Sequence, residues 1–219
     1  MNHSKQNELD HLLENYPQLV NCMDDIWNAC KLITNCYRQG GLIMTCGNGG
    51  SAADAEHITG ELMKGFKQQR PLSDEQRFAL KTFFPDEGDY LADHLQQGIP
   101  AISLVSQVSL LSAFANDVAA DMTFAQQVFV YGRNGDVLLG LSTSGNSKNV
   151  VNACTTAKAF GIKTIGMTGK DGGKLREICD VTICVPSNET HRVQEYHLPV
   201  YHTLCAMVES DIFQTEILC

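Results

Sequence analysis

The stretch that decides the fold is Gly135–Ser147, which reads GDVLLGLSTSGNS. Its apolar part, Val137–Ser142, is typical of a strand that is buried on both faces of a sheet. The glycine and the hydroxyl side chains that follow are typical of a strand end and a helix start. A strand that passes through such a loop into a helix is the repeating unit of a parallel α/β sheet.

The same pattern recurs on both sides of this stretch. Four more short apolar runs are each followed by a segment of helical character, and they are Leu42–Cys46, Ile99–Val105, Lys163–Thr168 and Val181–Pro186. A last long helix is predicted from about Glu189 to Phe213. Because crossovers between parallel strands are right-handed, we predict a doubly wound, three-layer αβα sandwich with five strands. Ligands in such folds bind beyond the carboxyl ends of the strands.

Two segments lie outside this rhythm. Residues 1–40 show helical spacing of apolar residues, which Pro17 interrupts and Gly40–Gly41 ends, so they form an N-terminal helical segment. Residues 72–98 carry two amphipathic pieces around PDEG, and we predict a helical insertion before the second strand. The insertion is either a surface elaboration or a lid or oligomer contact. With its 219 residues, the chain is predicted to form a single domain.

The composition excludes several classes of protein. A net charge of −9 and a pI of about 5.1 argue against a large nucleic-acid-binding surface. A small anion is not excluded, because helix-start N–H groups bind anions without lysine or arginine. The N-terminus has no apolar signal-peptide region and no apolar run reaches the length of a membrane span, so we expect neither a secreted nor a membrane protein.

The nine cysteines indicate a reducing compartment. Their number is odd and no C-x-x-C pair occurs, which disfavours both a disulfide framework and a thiolate zinc cluster. Several lie in apolar runs, as Cys184 does, and we predict buried free thiols in a cytoplasmic protein.

Hydroxyl side chains concentrate at the predicted end of the strand in Gly135–Ser147. Within six residues they are Ser142, Thr143, Ser144 and Ser147. Together with the helix N-terminal amides, they could surround the oxygens of one phosphate. Any one of them could instead be a structural N-cap.

A second glycine-rich loop follows the first predicted strand. Cys46–Ser51 reads CGNGGS, and its glycines permit positive φ and a close approach of the backbone to a ligand. A tight strand–helix turn without a ligand would explain the same glycines. On the helix after it, His57 and Glu61 lie four residues apart on one face. Such a pair can share a metal ion or transfer protons, or it can be a solvated polar face.

The last helix carries three further candidates. Gln194 and His202 are eight residues apart, roughly 80° around a straight helix, and could reach one site. His197 is a candidate as well, three residues after Gln194. His202 borders an apolar stripe, so a core histidine is the alternative. Pro199 should kink the helix or mark a first-turn boundary.

These motifs together resemble the SIS-domain phosphoheptose isomerases, which convert sedoheptulose 7-phosphate to D-glycero-D-manno-heptose 7-phosphate. The similarity covers nearly the whole chain except residues 72–98. The shared strings are CGNGGS, His57-x-x-x-Glu61, Asn116-Asp117, GDVLLGLSTSGNS, TGKDGG at Thr168–Gly173, and RVQE-x-H at Arg192–His197 with His202.

The resemblance implies an α/β SIS fold with N-terminal helices, a homotetramer and active sites at subunit interfaces. It implies that the substrate contacts Asn48, Gly49, Gly50, Ser51, Glu61, Asn116, Asp117, Ser142, Thr143, Ser144, Ser147 and Gln194. It further implies that His57, Glu61, Gln194 and His202 bind a divalent metal, for which zinc is the expected ion. The family's product belongs to surface polysaccharide or lipopolysaccharide synthesis.

An aldose–ketose isomerisation takes a proton from one carbon and returns it to the next through an enediol. We assign Glu61 as the base and His202 as the partner acid/base. A metal would polarise the carbonyl and stabilise the enediolate. How Glu61 would divide between metal ligand and base stays open. The chain departs from the family at residues 72–98, at Pro199, and at His191, where family members carry Asp.

Three other functions compete with this one. A non-enzymatic adaptor of the replication initiator resembles the chain in its loops but lacks equivalents of Glu61 and His202, both present here. A sugar-phosphate-sensing regulator would usually carry a DNA-binding domain, for which the chain has no spare residues. An isomerase of another sugar phosphate would share every motif.

Overall fold

The fold follows from a computed structural model that describes residues 3–213. Ten α-helices are found in this range, and their bounds are α1 His3–Asn15, α2 Met23–Arg38, α3 Gly50–Met63, α4 Asp74–Phe83, α5 Gly88–His94, α6 Val108–Phe114, α7 Thr123–Tyr131, α8 Lys148–Ala159, α9 Gly173–Ile178 and α10 Thr190–Phe213. The strands are β1 Ile43–Cys46, β2 Ala101–Ser103, β3 Val137–Leu141, β4 Lys163–Thr168 and β5 Val181–Cys184. Short 3-10 turns occupy Pro17–Cys22 and Ala120–Met122.

All five strands are parallel and lie in the order β2-β1-β3-β4-β5. The chain starts in β1, adds β2 on one side and then returns to add β3 on the other. Loops that leave β1 and β3 therefore diverge, and the crevice between them is where such sheets bind ligands. The predicted three-layer α/β fold is confirmed, and the two glycine-rich loops both lie at this crevice.

Alternate residues of the strands face two separate apolar clusters, which form the outer layers. Ile43, Val137 and Leu139 pack with α2, α3 and α10 on one face. Met44 and Leu138 pack with α7, α8 and α9 on the other face. This explains why the strands are apolar throughout, since both faces are covered.

Some local predictions differ from the structure. Helix α7 was not predicted, although it buries Phe124 and Val128 against the sheet. Strand β2 is limited to Ala101–Ser103 within the longer apolar run. Helix α10 continues through Pro199, so the prediction of a helix boundary at this proline is wrong. Within the described residues, no helix combines the length and the apolarity that crossing a membrane requires.

The segment 72–98 contains α4 and α5. Ser73 forms a capping box with Gln76 at the start of α4, which explains why the helix begins there. The Arg77 guanidinium donates to the Ala92 carbonyl of α5 at 2.8 Å and ties the two helices together. Helix α4 has no buried residue, and Phe78 and Phe83 are 71% and 77% exposed. The hairpin thus presents an open apolar face.

Candidate functional site

A cavity of about 390 Å³ lies at the crevice between the β1 and β3 loops. Its walls are formed by the two loops and the start of α10, through Asn48, Gly49, Gly50, Ser51, Leu141, Ser142, Thr143, Ser147, Thr190 and Gln194. The structure therefore brings together most of the predicted substrate-binding residues. Each loop contributes side chains that can hydrogen-bond a ligand, Asn48 and Ser51 on one and Ser142, Thr143 and Ser147 on the other.

The β3 loop is shaped for an anion at the start of α8. The Ser142 hydroxyl donates to the Ser147 hydroxyl at 2.9 Å, and the Ser147 N–H donates to Ser142 Oγ at 3.3 Å. Gly145 has a φ of 67° and lies against the Gly172 carbonyl, where a Cβ would not fit. The loop thus folds tightly at the start of α8, whose first N–H groups have no partner within the helix. Ser144, predicted as a fourth hydroxyl ligand, is exposed and accepts from the Asn146 N–H at 3.2 Å.

Gln194 is placed on the β1 loop by close packing. A Cβ on Gly50 would lie 2.6 Å from Gln194 Nε2, so the side-chain amide rests directly on this glycine. The glycine at position 50 is therefore needed for the approach of α10 to the loop. This contact explains how residues 144 positions apart share one wall of the cavity.

An amide pair links the two loops across the crevice. Asn48 Nδ2 donates to Asn149 Oδ1, and Asn149 Nδ2 donates back to Asn48 Oδ1, each at 2.9 Å. Asn149 was not predicted as a site residue. Because both bonds are made by a single pair of side chains, Asn48 is held in one orientation at the mouth of the cavity.

A second cluster lies further along α3 and combines His57, Glu61 and His202. His57 Nε2 lies 3.2 Å from Glu61 Oε1, and Lys64 Nζ donates to Glu61 Oε2 at 3.2 Å. The ring centroids of His57 and His202 are 5.0 Å apart. Three of the four predicted metal ligands thus lie together. Gln194 lies instead at the Gly50 end of α3, seven residues or about 10 Å of helix from His57.

The surroundings of His202 favour its neutral form. Burial lowers its pKa, the nearby His57 lowers it further, and Glu61 acts in the opposite direction. Its Nε2 atom is buried and has no hydrogen-bond partner among the described residues. A neutral imidazole with a free nitrogen is the form that binds a metal ion or accepts a proton.

Two neighbours of His57 were missed by sequence reasoning. The Tyr201 hydroxyl lies 2.9 Å from His57 Nδ1 and donates to Asp54 Oδ1 at 3.3 Å. Burial raises the pKa of Asp54, and the Tyr201 hydrogen bond acts against this. Asp54 could have been found as the residue three positions before His57 on the same helix, whereas Tyr201 looked like a residue of the apolar stripe.

A buried ion pair connects α10 to the end of α3, the two helices that carry the second cluster. Arg70 and Glu209 have fully buried side chains, and Arg70 Nε donates to Glu209 Oε1 at 2.8 Å. Glu209 also accepts from the backbone N–H groups of Phe66 and Lys67, each at 2.8 Å. Arg70 Nη1 donates to the Leu62 carbonyl at 2.8 Å. The pair therefore ties α10 to the last turn of α3 and the loop after it.

Two predicted substrate residues lie elsewhere in the chain. Asn116 and Asp117 are exposed in the π-helical turn Ala115–Ala119, where Asn116 Nδ2 donates to Asp117 Oδ1 at 2.8 Å. Within the described part of the chain, they do not line the crevice cavity. Their role as substrate ligands stays a prediction.

His197 is a buried histidine beneath the loops. Its Nε2 lies 3.3 Å from the Thr168 carbonyl, and its Nδ1 has no partner among residues 3–213. This side chain contacts the end of β4 and is completely buried. We therefore interpret it as a structural residue.

We expect His197 to make the protein less stable in acid. Burial lowers its pKa to about 4, whereas an unfolded histidine titrates near 6.5. The unfolded state then binds the proton more readily, so stability falls as the pH drops from about 6.5 to about 4. The loss reaches about 3 kcal/mol, since one pKa unit corresponds to about 1.4 kcal/mol. Urea unfolding of the wild type and of His197→Gln at several pH values measures this loss of stability.

The exposed His11 provides the control, because His11→Gln should leave the pH profile of stability unchanged. Parallel stability curves for the wild type and His197→Gln between pH values of about 4 and 7 would contradict this assignment.

The cysteines match the prediction of free thiols as far as the structure describes them. Eight of them are free, and Cys219 lies outside the described residues. Burial raises the pKa of Cys205 and Cys46 to about 12, so these thiols stay protonated at neutral pH.

The donor chemistry of the second cluster suits a divalent metal ion. Two imidazoles and a carboxylate are zinc donors, and His202 Nε2 is a buried nitrogen without a partner. Among the described residues, no three His, Cys, Asp or Glu side chains are already arranged to hold an ion. The residues thus fit the ion by type, and their final arrangement would have to form around it.

Comparison with known proteins supports the expected relationship. The profile of the SIS domain family matches residues 17–83 and 79–169. A phosphoheptose isomerase of Rhodospirillum rubrum is 41% identical over 192 residues, which cover 88% of each chain. One from Aliarcobacter butzleri is 40% identical over 184 residues, or 84% of each chain. The solved structure of the phosphoheptose isomerase from Neisseria gonorrhoeae superposes with a TM-score of 0.67 at 30% identity, covering 91% of this chain and 98% of that one.

Proposed function

The chain belongs to the SIS-domain family of phosphoheptose isomerases, and from this premise we propose that it interconverts sedoheptulose 7-phosphate and D-glycero-D-manno-heptose 7-phosphate. It is a sugar phosphate isomerase, as its relatives are. The observation that carries the proposal is the pairing of a polar crevice at the start of α8 with a His–Glu–His cluster further along α3.

The phosphate group binds at the crevice in this proposal. Ser142, Thr143 and Ser147 would surround its oxygens, together with the first amides of α8. Asn48 and Gln194 would contact the sugar hydroxyls from the opposite wall. Since helix α3 starts in this wall and carries His57 and Glu61 beyond it, the sugar chain would run along α3 toward these residues.

The reaction is carried out by Glu61 and His202. Glu61 takes a proton from C1 of the ketose, which gives an enediol, and returns a proton to C2. His202 moves the proton between the oxygens on C1 and C2, for which its partly buried, neutral ring is suited. Lys64, which donates to Glu61 Oε2, helps to orient this carboxyl.

A divalent metal ion, which we propose to be zinc, completes the site. His57, Glu61 and His202 would hold it, with Gln194 as the predicted fourth ligand. When bound, the ion would supply Lewis-acid polarisation of the substrate carbonyl. The buried, unpartnered Nε2 of His202 supports this assignment.

The catalytic cluster favours an enzyme over the adaptor. A protein that only binds a partner has no need for Glu61 and His202 next to each other with His57. An isomerase of another sugar phosphate is the competing assignment, because it would share every motif of the site.

We further propose that the chain forms a homotetramer in the cytoplasm, as the family resemblance implies. Exposed apolar side chains on the hairpin, Phe78, Phe83 and Tyr90, support association. Asn116 and Asp117, exposed on their π-helical turn, would reach the site of another subunit. Sedimentation analysis distinguishes a tetramer from a monomer.

We expect the variant Ser142→Ala with Ser147→Ala to raise KM for the sugar phosphate about tenfold or more, with a smaller effect on kcat. The hydroxyls would bind the phosphate equally in the ground and transition states, so their loss weakens binding uniformly. Initial rates over a range of substrate concentrations give both constants.

The control is Thr155→Ala, which should leave KM and kcat unchanged. Thr155 lies on α8 two turns after Ser147, and its exposed hydroxyl donates to the Val151 carbonyl of the same helix. The pair Ser144→Ala with Ser147→Ala tests whether the exposed Ser144 takes part. If KM is unchanged in both serine double variants, the phosphate binds elsewhere.

The proposed function is tested by NMR detection of the aldose. Protein loaded with zinc is incubated with sedoheptulose 7-phosphate, and a chelator-treated sample is the control. Conversion that the chelator abolishes supports both the substrate and the metal. Conversion that survives complete metal removal would support the isomerase activity and contradict a requirement for the metal. If other ketose phosphates react and this one does not, the heptose assignment is wrong.

A further inference from the structure

Behind the ring of His57, three side chains form one hydrogen-bonded chain. Tyr201 Oη lies 2.9 Å from His57 Nδ1 and 3.3 Å from Asp54 Oδ1. On its other side, His57 presents Nε2 to Glu61 Oε1 at 3.2 Å. Nδ1 of the ring therefore faces a tyrosine hydroxyl, whereas Nε2 faces a carboxylate oxygen.

The chain is held rigidly by the packing of two helices. Tyr201 is 1% exposed on α10, and its ring packs edge-on against the rings of His57 and His202. Asp54 lies on α3, one turn before His57. Its second oxygen, Oδ2, is buried and has no partner among the described residues. Within residues 3–213, Asp54 thus depends on Tyr201 for its one side-chain hydrogen bond.

Counting protons decides the direction of these bonds. A carboxylate can only accept, and the tyrosine hydroxyl has a single proton to donate. If this proton goes to Asp54, then Tyr201 Oη accepts from an Nδ1–H of His57. If it goes to His57 instead, Asp54 keeps no side-chain hydrogen bond among the described residues, which is costly because its Oδ2 is buried. The first arrangement gives Asp54, Tyr201 and Nδ1 of His57 a hydrogen bond each, and Glu61 keeps the bond from Lys64 Nζ to its Oε2. It leaves no proton between Nε2 of His57 and Glu61 Oε1, which are 3.2 Å apart.

We propose that Tyr201, oriented by Asp54, is a positioning residue that holds the proton of His57 on Nδ1 and leaves the lone pair of Nε2 facing Glu61. The ring could not offer this lone pair in the other tautomer, since Nε2 would then be a donor. A hydrogen bond on the far nitrogen is the usual means of fixing the tautomer of a ligating or catalytic histidine.

The value of this arrangement for catalysis rests on the proposed function. There, Nε2 of His57 is a metal-binding nitrogen, and a fixed lone pair removes the need to shift a proton before the ion binds. The tautomer itself can be observed in the metal-free protein, independently of any substrate.

The test is long-range ¹H–¹⁵N correlation of the histidine rings in the full-length, metal-free protein. The pH is kept about 1.5 units above the ordinary histidine pKa of about 6.5. His57 is assigned by the signals lost in His57→Gln. We expect a protonated Nδ1 in the wild type, and loss of this preference in Tyr201→Phe, which keeps the ring and removes only the hydroxyl.

Asp54→Asn sharpens the test. An amide NH₂ can donate to Tyr201 Oη, which frees the hydroxyl proton for His57, so the ring proton should move to Nε2. Tyr37→Phe is the control, because Tyr37 packs on Phe213 away from this chain of bonds and should leave the His57 spectrum unchanged. A wild-type His57 protonated on Nε2, or one unaltered by Tyr201→Phe, would overturn the proposal.

Zinc affinity provides a second readout. Competition with a chromophoric chelator should show about 10- to 100-fold weaker binding in Tyr201→Phe, with Tyr37→Phe like the wild type. Equal zinc affinity in Tyr201→Phe and the wild type would contradict a positioning role. If the tautomer behaves as expected while the wild type converts no sugar phosphate, the proposed function fails and the assignment of Tyr201 stands.

Discussion

Glu61→Gln is expected to lower kcat for isomerisation by about 10²- to 10⁴-fold, which is the contribution of a positioned general base, because the amide cannot accept the carbon-bound proton. The substitution keeps the shape of the side chain and its backbone contacts. Initial rates with sedoheptulose 7-phosphate measure the loss in kcat. The loss should appear in kcat and kcat/KM together, because the interaction is made in the transition state.

Glu56→Gln supplies a matched control on the same helix. Glu56 is exposed, and its carboxylate accepts from the Ser106 hydroxyl at 2.6 Å. We expect its kcat to stay within about twofold of the wild type, as for a surface position. A Glu61→Gln enzyme with near wild-type turnover would remove Glu61 as the base, whatever the state of the metal.

Glu209→Gln is expected to reduce the free energy of unfolding by about 3–5 kcal/mol, because it leaves the Arg70 guanidinium as an uncompensated charge in the interior. Both side chains are completely buried, and Glu209 also accepts three backbone N–H groups from the loop after α3. Urea denaturation followed by circular dichroism gives the unfolding free energy.

Glu8→Gln is the control for this change. It removes an ion pair between Lys67 and Glu8 at 2.6 Å, in which the Lys67 side chain is 49% exposed, so the expected cost is below about 1 kcal/mol. If Glu209→Gln does not fold, the double variant Arg70→Met with Glu209→Met should recover only the part of the loss that comes from the unpaired guanidinium, because three backbone N–H groups would still lack the Glu209 acceptor. An equal loss of unfolding free energy in Glu209→Gln and Glu8→Gln would contradict a larger contribution of the buried pair to stability.

The sheet and its crevice could be predicted because they depend on local patterns. Each apolar run is followed by loop residues that end it, and the parallel order then forces the loops after β1 and β3 to the same edge. Ser142 and Ser147 were therefore correctly placed beside Asn48 and Gly50. Helix α7 was missed because its sequence, TFAQQVFVY, has a polar centre and no capping residue that makes a side-chain bond.

The supporting residues could not be predicted, since they depend on contacts between distant parts of the chain. Arg70 and Glu209 are 139 residues apart, and nothing near either of them signals a buried charge. Tyr201 lies 144 residues after His57, and its spacing fits an apolar stripe equally well. Only the packing of α10 on α3 shows that its hydroxyl meets an imidazole.

Helix geometry also qualifies the predicted set of metal ligands. His57, Glu61 and His202 come together, since His57 and Glu61 share one face of α3 and α10 brings His202 against them. Gln194 precedes His202 by eight residues, or about 12 Å of helical rise, and packs on Gly50. The angle around the helix suggested that both could reach one site, and the place of Gln194 among the metal ligands stays a prediction.

Isomerisation in D₂O tests the central claim most directly. Wild-type protein is incubated with sedoheptulose 7-phosphate and followed by ¹H NMR, with Glu61→Gln in parallel. An enediol formed at Glu61 predicts an aldose phosphate that carries deuterium at C2, because the base exchanges its proton with solvent, and neither product nor label with the variant. Folded, metal-loaded wild type that forms no aldose and exchanges no proton at C1 would contradict the assignment of this chain as a phosphoheptose isomerase.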